Sequence, residues 1–123
     1  MGKWQYCVVG NIVKTHTAPD GTVYYGSAAY TGGTRVYLCG KYWKPSAGKI
    51  SVIGLNRYKQ YRVNDVPPEL IENVRWKKVY KPSVLRLMNN FEFWDCWWHD
   101  TEEDKAAVAA FVEWWNENRE SFS

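Results

Sequence analysis

Two histidines and three cysteines are the side chains best suited to catalysis in this chain. His16 is followed by Asp20 in the same stretch, and His99 directly precedes Asp100. A catalytic arrangement needs a nucleophile, a base within hydrogen-bond reach and a group that orients the base. Cys39 with His16, or Cys96 with His99, can be paired on paper, but neither pair stands in a local signature. Surface histidines and core thiols explain them as well. Cys7, Cys39 and Cys96 are odd in number, far apart and without a CxxC, so they read as small buried apolar groups in a reducing compartment rather than a disulfide frame or zinc site. The run GSAAYTGGT, residues 26–34, lacks the lysine-serine/threonine ending of a phosphate-cradling loop. The acid pairs Glu69/Glu72 and Glu102/Glu103 sit in helix-start contexts that solvation explains. No His, Cys or acid cluster has metal-ligand spacing. A small Cys/His enzyme is therefore the weakest reading: no catalytic residue is assigned, and neither cofactor nor metal is implied.

Recognition chemistry is better represented, in two places. The acidic end carries Trp94, Trp97, Trp98, Trp114 and Trp115 among Asp95, Asp100, Glu102 and Glu103. Aromatic anchors ringed by charge have the composition of interface hot spots, and an acidic face steers onto basic proteins. Trp94, Trp97, Trp98, Trp114, Asp100, Glu102 and Glu103 are thus the candidate protein-binding residues. The other place is basic: Lys41, Tyr42, Trp43 and Lys44, then Arg57, Tyr58, Lys59 and Arg62. Single-strand binders stack bases on exposed rings while cations follow the phosphates, and these eight are the nucleic-acid candidates. Against both stand plainer explanations: large aromatics are usually core, and lysines guard sheet edges. The favoured reading is a non-catalytic protein-binding protein, of the kind that neutralises a basic toxin in an immunity role. Single-stranded nucleic-acid binding is the alternative.

The charge distribution underlies that choice. Residues 1–90 carry a formal +10 and residues 91–123 a formal −7, which the net +3 conceals. Such polarisation points to charged partners, or to an acidic tail folded back on a basic body. The 123 residues fit one domain, with a basic β body at 1–81 and an acidic, Trp-rich helical segment at 82–123 packed on it. Eight Trp, nine Tyr and four Phe are too many to bury together in so small a domain. No apolar stretch reaches the ~18 residues of a membrane span, the start has no cleavage-site pattern, and the cytoplasm is the expected compartment.

The elements that must position these residues follow from periodicity. The stretch from Thr34 to Val63 reads as three strands, with Val36, Leu38, Val52 and Leu55 turned to a core. A first strand spans residues 5–13, with Gly10 marking a bulge. Ala18-Pro19-Asp20-Gly21 is a turn into a returning strand at residues 22–25, and residues 28–30 fit one helical turn. Pro67-Pro68 stops the ladder and starts a short helical turn. Residues 74–80 form a last strand, with Val74, Trp76 and Val79 packed and Arg75, Lys77 and Lys78 exposed. A helix capped by Ser83 carries Val84, Leu87/Met88, Phe91, Trp94 and Trp98, with Asn89-Asn90 as a break. An amphipathic helix spans 102–119, with Val108, Phe111 and Trp115 facing the body and Trp114 at the edge. The fold class is α+β: a small, strongly bent antiparallel β-barrel or rolled sheet of five to six strands, then one or two C-terminal helices.

The runs VVGNIV, GTRVYLCGKYW, VIGLNR, LIENVR and YKPSVL, in that order, resemble a group of small bacterial proteins over roughly residues 5–88. The resemblance implies a stand-alone bacterial domain and carries no activity, cofactor or site residue with it.

Overall fold

A computed structural model describes residues 3–87, 98–99 and 101–122, with Tyr42 and Phe122 described by backbone alone. The elements are β1 (Trp4–Ile12), β2 (Thr15–Thr17), β3 (Val23–Tyr25), β4 (Arg35–Cys39), β5 (Ile50–Leu55), β6 (Tyr61–Val66), β7 (Ile71–Tyr80), α1 (Lys81–Leu87) and α2 (Glu102–Asn118). Five strands form one antiparallel sheet in the order β6-β5-β4-β1-β7, and β2 pairs with β3 in a separate two-stranded sheet. The fold is thus α+β. The three strands expected between Thr34 and Val63 are β4, β5 and β6. Among the described residues no pairing joins β6 to β7, so the expected closure into a barrel is not formed by these ladders.

Strand alternation sends side chains to two faces, and both are covered. Val8, Ile12, Val36, Leu38, Ile50, Val52, Val66 and Ile71 form one core with Val108, Phe111 and Trp115 of α2. Cys7, Val9, Tyr37, Cys39 and Ile53 point the other way and pack with Val79, Val84 and Trp98. Burial on both sides is why β1, β4 and β5 read as continuous apolar runs (CVV, VYLC, VIG) instead of alternating. The same parity corrects three expectations. Leu55 lies on the opposite face from Val52 and is 38% exposed at the strand end. Trp76 faces Val8 across the ladder yet is 39% exposed. Lys77 and Arg75, opposite Cys7 and Val9, are half-buried on the covered face. Arg75 is held there by Asn11 Oδ1 at 3.0 Å and the Asn73 carbonyl at 2.8 Å.

Loops obey the local chemistry with two departures. Gly10 sits in a bulge between Val9 and Asn11, where a Cβ would lie 2.6 Å from Ile71 Cγ2. Pro68–Leu70 forms the short helical turn that ends the β6 ladder. The 18–21 turn closes through Gly21 N–H to the Ala18 carbonyl at 2.9 Å, with Thr22 N–H donating to Asp20 Oδ1 at 2.9 Å. Its strand, however, returns along Thr15–Thr17 and not along β1. Residues 28–30 form no helical turn: the Ser27 hydroxyl accepts from Tyr30 N–H at 3.0 Å, and this tight loop drives the Tyr30 ring into the core.

α1 begins at Lys81, two residues before the expected Ser83 cap. Met88, Phe91, Trp94 and the Asn89-Asn90 break lie outside the described residues. α2 begins as expected, with Thr101 Oγ1 accepting from Asp104 N–H at 3.1 Å and three acids in its first turn, at the positive end of the helix dipole. Val108, Phe111 and Trp115 are its buried residues. Phe111 packs on Gly40 so closely that an added Cβ would stand 3.0 Å from its own Cβ. Trp115 Nε1 donates to the Pro68 carbonyl at 3.4 Å. No helix of the described residues is long and apolar enough to cross a membrane.

Candidate binding surfaces

The described part of the acidic, Trp-rich end is largely spent on packing. Trp98 and Trp115 are buried, and Trp114 is half-buried with its ring 4.3 Å from that of Trp43. Asp104 pairs with Lys41 at 3.1 Å, and the hydrogen bond from that lysine holds its carboxyl below the usual range, helped by Thr101. Glu102 reaches Lys105 at 3.4 Å in solvent, and Glu103 is exposed. Trp94, Trp97 and Asp100 lie outside the described residues.

The basic candidates divide between the two ends of the sheet. Lys41 to Lys44 follow the last residue of β4, whereas Arg57 to Arg62 surround the β5–β6 turn. A strand of that length separates them by roughly 17–20 Å. At the first end Lys41 is ion-paired, Trp43 packs edge-on to Phe111 at 5.0 Å, and Lys44 is exposed. At the second end Arg57 donates to the carbonyls of Tyr25 (2.7 Å) and Ser27 (3.1 Å). Tyr58, Lys59 and Arg62 are exposed there. The histidine–thiol pairing drawn from sequence is likewise split. His16 lies on β2, past the end of β1 that faces the start of β4, while Cys39 closes β4 at the far end. His99 is buried, edge-on to Trp76 at 5.6 Å. Cys96 is outside the described residues, and among those described no three His, Cys or acid groups could hold a metal ion.

A surface the sequence reading passed over lies on β1 and β7. Trp4 and Tyr6 are 55% and 56% exposed. The register sets Trp4 opposite Tyr80, Tyr6 opposite Lys78 and Val8 opposite Trp76, so all six share one face. The Trp4 and Tyr80 rings are 5.2 Å apart, and Lys78 Nζ lies 6.0 Å from the Trp4 ring centre. Trp76 continues the ladder to His99, three residues before α2 opens with Glu102 and Glu103. The signal was present as W-x-Y-x-V at 4–8 and W-x-K-x-Y at 76–80, two alternating runs whose rings meet only once the pairing is known. No protein-family model, curated protein or solved structure matches this chain.

Proposed function

We propose that this is a non-catalytic binding protein that recognises a protein partner through the aromatic ladder of β1 and β7. The observation that carries this is the exposure of Trp4, Tyr6 and Trp76 as one row, outside either core. Rigid aromatic anchors give large contact area at low entropy cost, and charged groups belong at the rim of such a patch. Lys78 stands at one side, and the start of α2, with Glu102 and Glu103, follows Trp76 and His99 on the other. The acidic end thereby contributes charge to the rim, while its described tryptophans pack inside.

A rolled sheet belongs to the same reading. The chain passes from Val66 on one edge strand to Ile71 on the other in five residues, a reach of at most roughly 18 Å. A flat five-stranded sheet sets its edge strands roughly 19 Å apart before any offset along them. Curling toward a barrel brings the edges within reach, and the β1–β7 ladder then continues the face of Val8 past the packed core, where Trp4 and Tyr6 are exposed.

An immunity-type role makes a basic protein encoded beside this one the first partner to try. Co-expression should co-purify the two. Trp4→Ala/Tyr6→Ala should abolish that while costing about 1 kcal/mol of stability, the worth of the Trp4–Tyr80 ring contact. Equal recovery with the folded double variant would remove the ladder from the interface.

A further inference from the structure

The opposite end of the sheet holds a second exposed aromatic cluster of different chemistry. Every residue of β3 is exposed, Tyr25 at 74%, and Tyr58 on the neighbouring turn is 81% exposed. They sit on a short hairpin strand and a turn, yet both are held. The Arg57 guanidinium ties the β5–β6 turn to the Tyr25 and Ser27 carbonyls, and Arg57 N–H donates to the Ala29 carbonyl at 2.8 Å. Asn56 Oδ1 accepts from Tyr58 N–H at 2.8 Å and Gln60 N–H at 3.0 Å, fixing the turn that presents Tyr58. Gly26, at φ +73°, lets the chain pass where a Cβ would stand 2.6 Å from the Gly32 nitrogen and the Tyr30 oxygen. Between hairpin and turn lies a cleft of about 460 Å³, walled by His16, Tyr24, Tyr25 and Arg57. The His16 and Tyr24 rings are stacked at 6.4 Å.

Charge says what fits. Lys14, Arg57 and Lys59 are exposed around this cluster and form no ion pair among the described residues. Asp20, at the hairpin tip, is committed to the Thr22 N–H, which lowers its pKa. Glu69, beside Leu70 at the cleft margin, is the acid nearest in sequence to the lining. We infer that this end binds a short single-stranded nucleic acid, with bases stacked on Tyr24, Tyr25 and Tyr58 and phosphates met by Lys14, Arg57 and Lys59. Stacking on exposed rings accepts any base, and the cations follow the backbone, so the site discriminates strand form more than sequence. It is separate from the β1–β7 ladder by the length of the sheet.

Fluorescence titration of the full chain with labelled oligo-dT and oligo-U 12-mers, at 20–200 mM salt, tests this. Three phosphate contacts predict a log K against log salt slope of about −2. Tyr25→Ala/Tyr58→Ala should weaken binding by at least roughly 30-fold with the slope kept, because each stacked base is worth about 1–3 kcal/mol and stacking carries no counterions. Lys14→Ala/Lys59→Ala should flatten the slope by about 1.4. Trp4→Ala/Tyr6→Ala should change neither quantity, so this site and the protein-binding ladder fail independently. Absence of binding at 20 mM salt would overturn the inference. So would equal binding of poly-glutamate, which would make the cluster a surface for acidic proteins, or tyrosine variants that bind like the wild type.

Discussion

Phe111 and Trp114 stand three residues apart on α2 with different surroundings, and their substitutions should separate. Phe111 is buried against Gly40 and the Trp43 ring, so Phe111→Ala should cost on the order of 3–5 kcal/mol in a urea melt. Trp114 is half-buried on Trp43, and Trp114→Ala should cost about 2 kcal/mol by the area it covers. Comparable losses would place Trp114 in the core proper. Tyr30 provides a pH test. Its ring is fully buried, its hydroxyl donates to the Arg62 carbonyl at 2.9 Å, and burial pushes its pKa up to about 12 from 10.0. A raised folded-state pKa favours the neutral phenol. Its contribution is therefore present below pH 10 and lost as pH rises from 10 to 12. Tyr30→Phe should lose about 1 kcal/mol at pH 7 with the hydrogen bond and show a shallower alkaline fall in stability. An unchanged alkaline slope would mean that Tyr30 does not govern it.

Elements were legible where one periodicity acted alone. α2 was readable from its cap, its acidic first turn and its 108/111/115 stripe, and Thr101→Ala should cost about 1 kcal/mol of that helix in thermal melts. β4, β5 and the Gly10 bulge were readable from β-branched runs and a glycine inside one of them. Leu55 stands an odd number of residues from Val52, and its facing follows from strand alternation alone. Trp76, by contrast, was misplaced because its surroundings are decided by the β1–β7 register, which links it to Val8 and leaves no local mark. The same holds for β2 and β3. Three-residue strands carry almost no periodic signal, and their position depends on Arg57 reaching back some thirty residues to Tyr25 and Ser27. Gly26→Ala should release that hairpin, since strained φ and backbone clash coincide there; faster amide exchange at residues 23–27 is the expected readout. Protection equal to the wild type's would show that the hairpin holds itself.

At the scale of the molecule, the polarised charge of the sequence is partly joined in the fold. Lys41 of the basic body meets Asp104 of the acidic segment, the contact expected of a tail laid back on its body. The sheet then carries an exposed aromatic surface at each end: the β1–β7 ladder with Lys78 over Trp4, and a tyrosine cluster beside β2 and β3 whose cations Lys14, Arg57 and Lys59 form no ion pair among the described residues. Sequence spacing showed rings and cations interleaved but could not say which rings the core would consume; Trp43, Trp98 and Trp115 went inward, whereas Trp4, Tyr6 and Trp76 stayed out. The most direct test of the protein-binding ladder is isothermal titration of the purified adjacent-gene protein into wild type and into Trp4→Ala/Tyr6→Ala. The ladder predicts saturable binding by the wild type and a loss of at least about 2 kcal/mol, roughly 30-fold in Kd, in the double variant. The same Kd for both proteins, with both folded, would contradict it.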